Sequence, residues 1–243
     1  MRVIVCDSHE EIARLGADMI EEIMKSKKDA VLGLATGSTP VNMYSELIRR
    51  YEAGELDFSC VRSVNLDEYY PIAPDNDQSY RYFMNKNLFD HVNIDKANTY
   101  VPDGLCEDTD AFCASYEAKI AELGGIDIQV LGIGGNGHIA FNEPAEALEP
   151  LTHLTDLTPE TIAANSRFFE SEADVPRRAL TMGMGSILNA RKILLLATGA
   201  AKADAIATLC AGKLTTSCPA SLLNLHDDVT VICDRAAAAG LQA

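Results

Sequence analysis

Short apolar runs that alternate with longer amphipathic stretches constrain this chain more than any other feature, because that order builds a parallel sheet covered on both faces by helices. Strands are expected at residues 3–6, 30–35, 61–66, 126–133, 192–197 and 229–233. Several are nearly continuous in Val, Ile and Leu, as strands buried on both faces should be. Helices are expected at 8–27, 40–51, 78–90, 108–123, 159–165 and 200–210. Ser8 stands as a cap with Glu11 three residues on, and Ile12, Leu15, Ala17, Met19, Ile20 and Ile23 give the first helix an apolar face. No linker or shift in composition divides the 243 residues, so one α/β domain over 1–243 is expected.

Charge narrows the partners. With 20 Lys+Arg against 36 Asp+Glu the net charge is −16, which argues against nucleic acid and against anionic membrane surfaces. No apolar run approaches the roughly 20 residues of a membrane span. Seven cysteines form no C-x-x-C pair, the five histidines have no ligand spacing, and the chain opens without a secretory signal. Reduced thiols in a cytoplasmic protein, serving mostly as core fillers, are therefore expected, with no zinc site.

In open α/β sheets ligands bind at the carboxyl ends of the strands, and three loops there carry chemistry. The first, Gly33-Leu34-Ala35-Thr36-Gly37-Ser38-Thr39-Pro40, opens a helix and offers Gly37, Ser38 and Thr39 to an anion such as phosphate. It lacks the lysine of a Walker A loop, and a plain capped turn is its other reading. The second, Asn65-Leu66-Asp67-Glu68-Tyr69-Tyr70-Pro71, sets adjacent carboxylates where desolvation and like charge can tune a general base. Its alternative is a capping Asp67 beside a solvated Glu68.

The third runs from Gly132 to Pro144 as GIGGNGHIAFNEP. It contains G-x-G-x-x-G, but Pro144 interrupts the helix that should receive a pyrophosphate, so a dinucleotide site is rejected. A histidine in such a turn, His138, is exposed at the ligand edge and suited to trading protons, with Asn136 or Glu143 close enough to orient its other ring nitrogen. No Lys or Arg occurs from 123 to 166. Arg167 ends that gap and Lys202 opens a late helix; each is either an anion clamp or an ordinary surface cation. Tyr44, Tyr69 and Tyr80 are either core or pocket wall, with core the expected place, and no G-x-S-x-G elbow is present.

Together GLATGSTP, LDEYYP, DQSYRYFMNKNLFDHV, GIGGNGHIAFNEP and NSRFF, in this order from about residue 30 to 235, resemble the glucosamine-6-phosphate deaminases. That resemblance implies a modified Rossmann-like parallel sheet and conversion of glucosamine 6-phosphate to fructose 6-phosphate and ammonia, with no cofactor. Asp67 would then move the C2 proton and His138 would act in ring opening. Asn136 and Glu143 would position the histidine, Glu68 would support, and Gly37, Ser38, Thr39, Arg167 and Lys202 would hold the phosphate. Many relatives carry Asp where Asn136 stands; its carbonyl could still accept the imidazole N–H, leaving more of the charge stabilisation to Glu143. Allosteric relatives use basic side chains after FNEP, whereas 145–158 holds only His153. A non-allosteric enzyme is expected, either a monomer or a self-associating chain. The rival readings are a 6-phosphogluconolactonase, which should lack the FNEP continuation, and a sugar-phosphate effector module, which would normally be joined to a basic DNA-binding segment.

Overall fold

The computed structural model describes residues 1–169 and 171–241. Seven strands form one parallel sheet in the order β1 (Arg2–Cys6), β10 (Val229–Asp234), β9 (Ile193–Ala197), β6 (Ile128–Leu131), β2 (Val31–Leu34), β3 (Arg62–Asn65) and β5 (Thr99–Tyr100). All six expected strands are present. The four in the middle are buried along nearly their whole length, as double coverage requires.

The flanking helices follow the sequence closely. In α1 (His9–Ser26) the Ser8 hydroxyl accepts from Glu11 N at 3.1 Å, and the Glu11 carboxylate reaches back to Asp7 N at 3.0 Å. Ile12, Ala13, Gly16, Ala17, Ile20 and Met24 form its buried stripe. Helix α2 (Ser38–Glu52) begins two residues earlier than Pro40. The 78–90 stretch resolves into α3 (Tyr80–Asn87) and a 3-10 turn, Phe89–His91. Helix α4 (Thr109–Glu122) and α5 (Pro159–Asn165) lie where expected. The 200–210 stretch is a 3-10 turn at Ala200–Lys202 followed by α7 (Ala203–Cys210). A short α6 (Met184–Leu188) had no periodic signal.

A second sheet departs from the expected single layer. Strands β4 (Asp67–Tyr70), β8 (Arg178–Thr181) and β7 (His153–Asp156) pair antiparallel in that order. Only Leu66 separates β3 from β4. Its amide donates to Leu34 O within the large sheet at 3.2 Å, and its carbonyl accepts from Met182 N beside the small one at 2.7 Å. One side of the small sheet carries its own apolar cluster of Tyr69, Ile72, Phe141, Leu157, Ile162, Val175 and Ala179. The cysteines are all free; Cys6, Cys113, Cys218 and Cys233 are buried, Cys106 and Cys210 partly so, and Cys60 is exposed. Among the described residues no helix is long and apolar enough to cross a membrane.

Candidate active site

The carboxyl ends of β2, β3 and β6 open into a cavity of about 520 Å³ lined by Gly37, Ser38, Thr39, Asp67, His138, Arg167 and Lys202 among others. All three loops singled out from the sequence therefore meet at one place. That volume lies within the range of small-molecule sites.

Asp67 is 6% exposed and lines the cavity directly at the start of β4. Burial, with the charge of Glu68 adding to it, pushes its carboxyl up to about 8. Glu68 points the other way. It is buried, lies outside the cavity lining, and accepts backbone amides from Tyr69 at 2.9 Å, Tyr80 at 2.8 Å and Arg81 at 3.0 Å. Burial raises its pKa to about 7 against the pull of those amides and of the Arg81 charge. Glu68 is thus no solvated neighbour; it anchors the first turn of α3, a favourable place for a carboxylate, and holds Tyr80 at the cavity wall.

The His138 loop is built by tight backbone contacts. Gly134 N donates to His138 O at 2.9 Å and Gly137 N to Gly134 O at 3.1 Å. A Cβ at Gly134 would come within 2.4 Å of the imidazole, and Gly137 has φ +86° with no room for a Cβ beside Cys218 Sγ. Glycine is required at both. His138 Nδ1 lies 3.2 Å from Glu143, leaving Nε2 as the other ring nitrogen of a side chain that lines the cavity. Burial alone would raise the Glu143 carboxyl, but hydrogen bonding to His138, the imidazolium charge, the Thr161 hydroxyl and the Asn136 amide hold it at about 2.

Asn136 corrects one expectation. Its Oδ1 accepts from the backbone N of His138 at 3.1 Å and its Nδ2 donates to Glu143 Oε2 at 2.7 Å. The asparagine touches Glu143 and the loop backbone, and the imidazole N–H is left to Glu143. Sequence reasoning also missed Thr161, whose hydroxyl donates to Glu143 Oε1 at 2.6 Å. Its partner lies 18 residues away, and no spacing rule joins them.

At the opposite side Gly37 caps α2 with no side-chain hydrogen bond, so the first turn of α2 meets the cavity without a side-chain cap. Lys202 stands at the start of α7, and burial lowers its pKa. Arg167 sits in the 3-10 turn Ser166–Phe168 that follows α5. Tyr44 is core as expected, its hydroxyl donating to Ala35 O at 2.6 Å. Tyr69 and Tyr80 line the cavity, and Tyr69, 3% exposed, also belongs to the apolar cluster of the small sheet; their ring centroids are 4.9 Å apart, and Phe169 meets Tyr69 edge-on at 5.8 Å.

Comparison with known proteins agrees with this geometry. The chain is 56% identical over 238 residues, 98% of each chain, to a glucosamine-6-phosphate deaminase of Clostridium perfringens. It is 52% identical over 98% of its length to one of a Thermoanaerobacter species, covering 94% of that protein. A solved monomeric glucosamine-6-phosphate deaminase superposes with a TM-score of 0.96 at 43% identity, covering 99% of this chain and all of the other. A 6-phosphogluconolactonase from Trypanosoma cruzi shares the fold, with a TM-score of 0.77 at 23% identity, covering 100% of this chain and 97% of that one. Residues 7–232 match the model of the glucosamine-6-phosphate isomerases and 6-phosphogluconolactonases, and with its carboxylate, histidine and anion loops gathered at one sheet edge the chain belongs to that family.

Proposed function

We propose that the protein converts glucosamine 6-phosphate and water to fructose 6-phosphate and ammonia, as a step in amino-sugar breakdown. One observation carries this reading. A desolvated carboxylate, an imidazole–carboxylate pair and an anion-binding edge share one cavity, in a chain 52–56% identical over nearly its full length to curated deaminases.

The phosphate is held by the residue 37–39 amides and hydroxyls with Lys202 and Arg167. His138 Nε2 takes the C1 hydroxyl proton and delivers it to the ring oxygen as the C1–O5 bond breaks. The Asp67 carboxylate then removes the C2 proton while the substrate's 2-ammonium group gives up a proton to the carbonyl oxygen, and a neutral enediol-type enolamine forms. Reprotonation at C1 by the Asp67 acid gives the 2-iminium, which water hydrolyses to the ketose and ammonia. Asp67 is tuned for both directions of that transfer, since proton-transfer catalysts work best with pKa values near the working pH. The steps call for no metal or organic cofactor.

Incubation with glucosamine 6-phosphate should release ammonia and fructose 6-phosphate in equal amounts, with 6-phosphogluconolactone left unhydrolysed; the reverse pattern would move the assignment to the lactonases. Lys202→Met should raise KM for glucosamine 6-phosphate about tenfold or more, because a charge-assisted contact to phosphate is lost. Its turnover should change far less.

A monomer without allosteric control, in the cytoplasm, belongs to the same proposal. The absence of Lys and Arg from 145–158, the monomeric deaminase that superposes on the chain and seven free thiols support it. Sedimentation should give a single species near the chain mass, and N-acetylglucosamine 6-phosphate should leave the saturation curve hyperbolic; a sigmoidal curve straightened by that compound would overturn it.

A further inference from the structure

Glu143 is shared between two parts of the molecule. His138 Nδ1 lies 3.2 Å from both of its oxygens, and Oε2 also takes the Asn136 amide at 2.7 Å, both partners coming from the same glycine-rich loop. Oε1 takes the Thr161 hydroxyl at 2.6 Å, the shortest of these contacts, and Thr161 belongs to α5. Thr161 is held in turn: its amide donates to Thr158 Oγ1 at 3.2 Å, and the Thr158 hydroxyl donates to Thr161 Oγ1 at 3.1 Å. A donor with its own donor behind it is polarised toward the carboxylate.

The same stretch of chain reaches the cavity at further points. Thr161, Asn165, Arg167 and Phe169 all line it, and Phe169 packs edge-on against Tyr69. The one direct side-chain hydrogen bond between α5 and the His138 loop among the described residues is the one Thr161 makes. A methyl group in place of that hydroxyl would keep the packing and remove only the bond.

We infer that Thr161 is a positioning residue for ring opening: its hydroxyl fixes the plane of the Glu143 carboxylate, and through it the tautomer and aim of His138, while tying the segment that carries Arg167 to the acid–base pair. This rests on the deaminase reading above. Without the bond, the Glu143 terminal torsion, which is broad for a carboxylate, is held only from the glycine-rich loop by Asn136 and His138, and Nε2 of the imidazole is aimed less firmly. The phosphate contacts remain, so the defect should fall on turnover rather than on binding.

The test compares Thr161→Val, which is close in shape and lacks the hydroxyl, with Thr161→Ser, which restores it. Thr161→Val should lower kcat for glucosamine 6-phosphate by about tenfold or more, as loss of a hydrogen bond to a charged group does, with KM within about threefold. Thr161→Ser should keep most of the wild-type kcat. In a Glu143→Gln background the valine substitution should cost almost nothing further, because the two act as a unit. The 15N shifts of the His138 ring nitrogens, measured on the unliganded protein, should report one tautomer in wild type and serine variant and a mixture in the valine variant. Wild-type kcat in Thr161→Val, equal losses in the valine and serine variants, or additive losses with Glu143→Gln would each overturn the inference. If wild-type protein releases no ammonia, the deaminase reading fails by itself, and the ring-nitrogen shifts decide whether Thr161 orients His138.

Discussion

Asp67→Asn should lower kcat by about 10³-fold, within the range general acid–base groups supply, with substrate binding largely intact. Deuterium from solvent should no longer enter C2-derived positions of recovered material; continued exchange at the wild-type rate would show that another group is the base. The same carboxyl predicts the pH behaviour of the intact enzyme. Burial raises Asp67 to about 8, and only its ionised form can accept the C2 proton. Below that value kcat/KM, which reports groups of the free protein, should fall tenfold per pH unit.

Stability should move the opposite way. The folded-state pKa of Asp67 lies above its unfolded value, so its neutral form is the one folding favours. The associated stability is fully present below about pH 4 and is lost as pH rises through about 8, amounting to a few kcal/mol, as an order of magnitude. Asp67→Asn, neutral at every pH, should therefore resist urea better than wild type above pH 8 while being nearly inert. A gain in stability that accompanies loss of turnover is what a carboxylate kept in a dry wall for chemistry should give.

The second large effect is expected at His138. On the proposed mechanism, replacement by Asn removes the group that trades protons between the C1 hydroxyl and the ring oxygen, and kcat should fall by about 10²-fold to 10⁴-fold. The acyclic alditol of the substrate needs no ring opening, so it should bind His138→Asn within a few-fold of wild type. If alditol affinity collapses along with turnover, the histidine is holding the pocket together rather than moving protons. Glu143 backs the imidazole with a carboxylate held at about 2, so it stays ionised throughout the working range. Its folded-state pKa is depressed, and the stability it contributes is present above its unfolded value near 4.5 and lost as pH falls through about 2.

Much of this was legible in the residues themselves. The buried strands announce themselves as nearly continuous Val, Ile and Leu, and Ser8 with Glu11 marks the start of α1 to within a residue. The three loops of the site were found because glycines, carboxylates and His138 follow those strands directly. The small antiparallel sheet was hidden for the converse reason. Its strands DEYY, HLTD and RALT have no apolar run, and only Leu66, with no Gly or Pro, lies between β3 and β4 to mark the join. Tyr69 and Tyr80 are packed in apolar surroundings and also stand on the cavity wall, a double role that nothing in a sequence distinguishes from plain core. Thr161 escaped in a different way. It acts on Glu143, and a contact between polar side chains from separate elements leaves no periodicity behind.

The join at Leu66 has one more consequence. Insertions and deletions are ordinarily absorbed by loops, but here the Asp67 carboxylate is spaced from the large sheet by a single residue pinned at both its amide and its carbonyl. One residue of extended chain is roughly 3.3 Å, and adding or removing one reverses which side of the strand every later side chain faces. The backbone between Asn65 and Asp67 therefore works as a measuring rod whose length is fixed covalently: adjustment of the site over time has to come through side-chain exchange or through the distant α5 segment, never through a change in the count of residues here.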